Sequence, residues 1–358
     1  MKKIKGKEKP IKIVLIWLII LMVIFSIGSM VYIKMTFDQS FSRIEQPDPK
    51  YSGYLRYSDV EEYQREAVEF ESGNNVLKGY IYGSENDKGL IVISHGLGFG
   101  AENYLAETIY FVDNGWCVFA FDNTGTHESE GKSTIGPSQS LLDLNAALTY
   151  IKSNKEINNL DIILYGHSWG AYAVTAILDS NFEIAAVASI SGFNSPMELL
   201  KEQVDSLLGV FSPIGYPFLS FYQNILFGKT SSVTATDGIN STDTPVMIIH
   251  GDKDEAISYN GASIIAHKAE ITNPNDIYKT CNVVDHNGHN NLFKSNASSE
   301  YKKEKNLEYK EIYDQYNGEI PDDIREKYYE EVDRFLASEL DVNFMNEINQ
   351  FFETQLGP

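Results

Sequence analysis

The stretch from Leu160 to Ser180, LDIILYGHSWGAYAVTAILDS, constrains the fold of this chain more than any other. Its first part, Leu160-Asp161-Ile162-Ile163-Leu164-Tyr165, has the length and β-branched content of a strand buried on both faces. Its last part, Ala171 to Leu178, suits a buried helix. Between them lies Gly166-His167-Ser168-Trp169-Gly170, which matches G-x-S-x-G. A sharp strand-to-helix turn pushes the central serine out of the backbone in a strained conformation. The residues two before and two after it then come very close, and glycine has no Cβ to clash. A serine hydroxyl is a weak nucleophile and must be held beside a base. The flanking strand and helix therefore predict Ser168 as a nucleophile, where a bare motif match could be a chance loop.

The rest of the chain fits around that strand. Ala67 to Glu71 and Val76 to Tyr82 alternate about a Gly73-Asn74-Asn75 turn, which predicts a hairpin. Buried strands are expected at 90–94, 116–121, 160–165, 185–190, 246–249 and near 281–284, with helices at about 102–113 and 139–153. Such alternation predicts an α/β fold, a mostly parallel sheet with helices on both faces. Two stretches break the pattern. Residues from about 194 to 244 are apolar but not strand-like, and are expected to form a helical lid inserted between two strands. Such a long connection in a compact domain is usually functional. Phe211, Phe218 and Phe221 are its expected acyl-lining side chains, with packing on the body or contact with a bilayer as the alternatives. Residues from about 295 to 358 form a charged helical extension, expected to be a solvated surface. Its end, Phe344 to Phe352, carries a helix-spaced apolar face.

The N-terminus adds a separate constraint. Residues 1–12 carry six lysines and one glutamate, and Ile13 to Ile33 follow as 21 residues without a charge. At about 1.5 Å per residue this run spans a hydrocarbon core. Lysines on its N-terminal side keep that end cytoplasmic and send the body across the membrane. A cleaved signal peptide ending near Ser26-Ile27-Gly28 is the competing reading, but the run is long for one. The expected organisation is a basic cytoplasmic segment at 1–12, a transmembrane anchor at 13–33, a linker at 34–63 and an extracytoplasmic domain at 64–358. The formal net charge of −21, without a basic patch, disfavours nucleic acid and polyanionic substrates. Cys117 and Cys281 read as small core residues on strands. Neither a disulfide framework nor metal-ligand spacing is present, and no cofactor is expected.

A nucleophilic serine needs a base, an acid and backbone donors for an oxyanion. His289, in the loop Asn287-Gly288-His289-Asn290-Asn291-Leu292, can reach the strand tips, whereas His286 reads as packed at a strand end. Asp252 and Asp254 both follow the strand at 246–249, and Asp252 has the alternative of capping its turn. Trp169 N–H, next to the nucleophile, is one expected donor. Leu97 N–H is the other, from the loop His95-Gly96-Leu97-Gly98-Phe99-Gly100. That loop lacks the Lys-Ser/Thr of a phosphate-binding P-loop.

Four motifs in order, HGLGFG, FDNTGTHESEG, GHSWG and HGDKDEAI, resemble those of the α/β-hydrolase superfamily, in its serine esterase, lysophospholipase-like and serine aminopeptidase-like branch. The likeness covers about Glu66 to Leu292. Phe121 to Gly131 resembles the family's F-D-x-R-G-x-G-x-S-x-G, with Thr124 where arginine is usual and His127 where glycine is usual. The resemblance implies the α/β-hydrolase fold, Ser168 as nucleophile, Asp254 as acid and His289 as base, with Leu97 and Trp169 as oxyanion donors. These motifs do not identify the substrate; the leading expectation is hydrolysis of a small-molecule carboxylic ester, through an acyl-serine, with an apolar acyl group under the lid. Three alternatives stand beside it. One is peptide cleavage, with Glu198 and Glu202 holding the amine; the second is a catalytically silent binding module; the third is acyl transfer to an acceptor other than water.

Overall fold

A computed structural model describes residues 8–356. The basic segment expected at 1–12 lies outside the described residues as far as residue 7. The sheet consists of β1 (Arg65–Ser72), β2 (Asn75–Tyr82), β3 (Leu90–Ser94), β4 (Cys117–Phe121), β5 (Ile162–His167), β6 (Ile184–Ile190), β7 (Val246–Gly251) and β8 (Ile277–Cys281). Their order is β1-β2-β4-β3-β5-β6-β7-β8. β1 and β2 form the expected hairpin, antiparallel from Arg65↔Tyr82 to Ser72↔Asn75, and β2 is antiparallel to β4. All later pairings are parallel. Gly73 turns the hairpin at φ 59°, a conformation open to glycine without steric cost.

The helices in chain order are α1 (Glu8–Ser40), α2 (Leu105–Asp113), α3 (Gln139–Ser153), α4 (Trp169–Ala176), α5 (Pro196–Leu208) and α6 (Tyr216–Phe227). After these come α7 (Ala235–Asn240), α8 (Asn296–Gln315), α9 (Asp322–Glu330), α10 (Arg334–Ser338) and α11 (Val342–Gln355). The sheet is covered on both faces, and β3, β4 and β5 are buried at every position. Leu90 and Val92 of β3 point into one core with α3 and α4. Their neighbours Ile91 and Ile93 point into the other, with α2 and α11. The apolar face at the C-terminus lies in this second core: Phe344, Met345, Ile348, Phe351 and Phe352 are buried, and Trp116 Nε1 donates to Asn349 Oδ1 at 2.7 Å. By contrast α8 buries only Ser298.

One strand differs from its expected place. The last strand is 277–281, and Val283 and Val284 beyond it are 64% and 77% exposed. β8 pairs only with β7, so its outer side needs no continuous apolar run. The apolar pair Val283-Val284 therefore drew the expectation past the strand, of which only Cys281 lies within 281–284.

Residues 34–63 follow the body closely. α1 continues to Ser40, and Phe37, Phe41, Leu55 and Val60 are buried. The side chain of Arg43 donates to the carbonyls of His127 at 2.6 Å and of Ser129 and Gly131 at 2.9 Å. Arg56 and Glu102 form a buried ion pair at 2.7 Å. Residues 194–244 hold α5, α6 and α7, as their lack of strand pattern implies.

Candidate active site

β5 ends at His167, and the chain reverses at Ser168 into α4. Ser168 sits at φ 55°, ψ −112°, an unusual conformation for a residue with a Cβ. Its N–H donates to Ile190 O at 2.8 Å, which ties the strained turn to β6. A Cβ on Gly170 would lie 1.9 Å from Ser94 O, and one on Gly166 would lie 2.5 Å from Gly170 O. Both glycines are thus required by close approach, and the turn lies between the ends of β3 and β5. The strand order reverses direction there, the place where open α/β sheets hold their ligands.

The loops after β7 and β8 bring two side chains to this turn. His289 Nε2 lies 2.8 Å from Ser168 Oγ, and His289 Nδ1 lies 2.7 Å from Asp254 Oδ2. A carboxylate only accepts, so the proton of the neutral imidazole sits on Nδ1 and leaves Nε2 to accept from the serine hydroxyl. Burial pushes the Asp254 carboxyl up, but hydrogen bonds from His250 and His289 outweigh it and hold the group well below the usual carboxylate range. Asp254 Oδ1 also accepts from Ala256 N and Ile257 N at 2.9 and 2.8 Å. The alternatives go elsewhere. Asp252 accepts from Asn287 Nδ2 at 2.6 Å, and His286 bonds Asn296 at 2.6 Å. Leu97 and Trp169 line one cavity of about 490 Å³ with Ser168 and His289. Phe41, Phe99, Phe193, Leu199 and Ile257 give it an apolar wall.

Three further residues hold these groups and escaped sequence reasoning. His250 Nε2 lies 3.1 Å from Asp254 Oδ2 and 3.0 Å from Ile257 O, so its N–H steadies the carboxylate from behind. Tyr104 OH accepts from Gly96 N at 3.0 Å and donates to His167 Nδ1 at 2.7 Å. His167 Nε2 in turn donates to His289 O at 3.0 Å. This chain runs from the loop bearing Leu97 to the backbone of His289. Burial first, and the neighbouring His289 ring second, push the His167 imidazole down to about 3, so it stays neutral and keeps one donor and one acceptor nitrogen. Only the i, i+4 spacing of His250 and Asp254 left a trace in the sequence.

The two departures in the loop after β4 have local explanations. His127 occupies φ 39°, the left-handed region that favours glycine. Thr124 donates through its N–H and hydroxyl to Asp143 at 2.7 and 2.9 Å. A guanidinium does serve this loop, but it belongs to Arg43, beyond the end of α1.

Other candidates are displaced from the cavity. Glu202 accepts from Ser258 N and Ala262 N, both at 2.8 Å, and Glu198 bonds Asn194 at 3.0 Å and His267 at 3.2 Å. Phe211 and Phe221 are exposed and Phe218 packs on Phe25, 5.9 Å between ring centroids. The expected acyl-lining role of these three in the Ser168 cavity is therefore corrected: Leu199 and Gln203 of α5, with Ser40 and Phe41, line it instead. α5 lies nearer the strand ends, and α6 faces α1.

The chain is similar to several known proteins. A family model described as serine aminopeptidase, S33, matches residues 85–217. Quorum-quenching protein AidA of Acinetobacter baumannii is 28% identical over 174 residues, covering 42% of this chain and 57% of that protein. Polyketide transferase af380 of Aspergillus fumigatus is 25% identical over 169 residues, covering 43% and 58%. The chain thus spans little more than half the length of these curated relatives. Among solved structures, the Pyrococcus furiosus esterase Pf2001 matches with a TM-score of 0.51 at 20% identity, covering 70% of this chain and 90% of that one. Est1E from Butyrivibrio proteoclasticus with ferulic acid bound has a TM-score of 0.50 at 21% identity, covering 68% and 98%. These likenesses establish the fold.

Proposed function

Since the chain belongs to the α/β-hydrolase superfamily, we propose that it is a membrane-anchored serine hydrolase that cleaves carboxylic esters with an apolar acyl group. The observation that carries the reading is the hydrogen-bonded series Ser168–His289–Asp254 with the serine on a strained turn. Ser168 Oγ attacks the ester carbonyl while His289 Nε2 takes its proton. The carbonyl oxygen becomes an oxyanion facing the N–H groups of Leu97 and Trp169. As the C–O bond breaks, His289 returns the proton to the leaving alcohol and an acyl-serine remains. Water then attacks with His289 as base, which releases the acid and restores the serine. Asp254 stays ionised throughout and balances the imidazolium.

The ester reading is favoured over peptide cleavage by the cavity wall. A free amine needs a carboxylate within reach, and Glu198 and Glu202 are spent on hydrogen bonds to the body. α1 supports the anchor, since the apolar helix Lys12–Ser40 has a mean hydropathy of 2.8 over its best window. The lysines before it place the domain from residue 64 outside the cytoplasm, with about 194–244 as its lid. The test is Ser168→Ala in the full-length protein. It should lose ester hydrolysis by about 10⁴-fold or more and lose covalent labelling by a fluorophosphonate. Labelling that persists in the variant rejects Ser168 as nucleophile.

A further inference from the structure

The Ser168 cavity adjoins a second one, of about 310 Å³, lying between α1 and the α5–α6 segment. Ser40, Phe41 and Gln203 line both. Phe41 is 5% exposed and clusters with Phe37, Leu200 and Leu219, and Leu97 packs on the same cluster. The far end of α1 is therefore part of the wall behind Ser168.

The second cavity is mostly apolar and lies alongside α1, so the simplest occupant of such a space is hydrocarbon from the bilayer that α1 crosses as an anchor. Phe25 touches Phe218, and it stands eight residues before Ile33, about 12 Å along a helix. The start of α6 therefore sits well below the outer end of the apolar run. Leu207, Phe211 and Ile214, which line this cavity, and Val210, Phe221 and Ile225 of the same segment are 56–89% exposed. A patch of that kind marks a partner or a membrane surface. Its continuity with α1 selects the membrane.

We propose that the cavity between α1 and α5–α6 holds the acyl chain of a bilayer lipid ester, which enters sideways from the leaflet and brings its carbonyl past Phe41 to Ser168. This rests on the serine-hydrolase and anchor readings and names their substrate class. Moving an acyl chain from hydrocarbon into an apolar cavity leaves its surface out of water throughout, so the hydrophobic effect does not oppose it. A route through solvent would expose each methylene. Of the polar side chains on this side, Thr36 Oγ1 already donates to Tyr32 O at 3.0 Å. α1 is then a wall of the binding site as well as an anchor.

The test uses the full-length chain in phosphatidylcholine vesicles. The probe is a long-chain alkyl fluorophosphonate with a diazirine near the chain end; Ser168 Oγ displaces fluoride, and light then fixes the chain to its neighbours. Crosslinks are expected in residues 29–41 and 200–219. Labelling at Ser168 with crosslinks confined to other segments overturns the proposal. In parallel, Val204→Trp narrows the cavity from α5. Its turnover of a bilayer-embedded oleoyl ester, relative to a water-soluble acetyl ester of the same alcohol, should fall by about tenfold. A ratio within about twofold of the parent, in a variant whose Ser168 still takes the label, also overturns it. A parent protein that takes no label and cleaves neither ester defeats the hydrolase reading itself, a distinct result.

Discussion

Tyr104 shows how a residue remote from the reacting atoms shapes the site. Its hydroxyl satisfies Gly96 N–H and His167 Nδ1, both deeply buried. Tyr104→Phe leaves both unpaired, and an unsatisfied buried polar group costs about 1–3 kcal/mol. The loop that carries Leu97 and the backbone of His289 lose a shared tether, so kcat should fall while KM changes little. A variant with lowered thermal stability but unchanged kcat would reduce Tyr104 to a packing role. Asp122 yields a prediction in pH. Burial pushes its carboxyl up to about 7, against the hydrogen bonds from Ala101 N and Glu128 N. An unfolded aspartate titrates near 3.9, so between about pH 4 and 7 the folded state binds the extra proton and stability falls as pH rises. Asp122→Asn should therefore be most harmful near pH 5 and least harmful near pH 8, as read by denaturant unfolding at both values. Asp254 has the opposite sign. Its contribution is present above about pH 4 and is lost as pH falls towards its depressed folded value.

At the scale of elements, the segment after α1 matters more than a tether would. Arg43 brings three carbonyls of the loop after β4 under one guanidinium, and Ser42 and Ile44 form bridges to Ser133 and Thr126. Arg43→Ala should destabilise the protein by about 2 kcal/mol, since charged hydrogen bonds contribute about 1.5–3 kcal/mol each and water replaces part of them. Arg43→Lys should recover little, because one ammonium cannot reproduce the planar fork. Equal unfolding midpoints for Arg43→Ala and the parent would make the contact incidental. α8 and α11 are the contrasting pair. Both lie in the charged C-terminal extension, yet α11 is built into the core through Phe351 and Phe352 while α8 stays on the surface.

For the whole molecule, the arrangement of α1 against α5 and α6 predicts how the protein sits in a membrane. In vesicles, a cysteine placed at Val210 or Phe211 should be shielded from a water-borne maleimide and become reactive in detergent. A cysteine at Glu304, on the exposed side of α8, should react in both. Cys117 is buried and gives little background, whereas the half-buried Cys281 is controlled by the parent chain. Equal labelling of Val210 and Glu304 positions in vesicles would place the α5–α6 face in water.

The sheet, apart from β8, and the strained turn at Ser168 are legible in the sequence, because both are written in contiguous residues. Apolar runs specify doubly buried strands, and two glycines four residues apart permit the strained serine between them. The sequence also marked 13–33 by length and charge alone. In the sequence, His289 is preferred to His286 only by its loop and Asp254 to Asp252 only by family resemblance; the tertiary structure adds that Asp254 and Ser168 both hydrogen-bond His289. Both bonds join residues more than 30 positions apart in the chain. Tertiary structure decided as well that Arg43 serves a loop starting beyond residue 120 and that Phe41 walls the cavity of Ser168. No local periodicity encodes such meetings. They arise when the closing of the sheet brings loop ends together and the chain after α1 finds its place upon them.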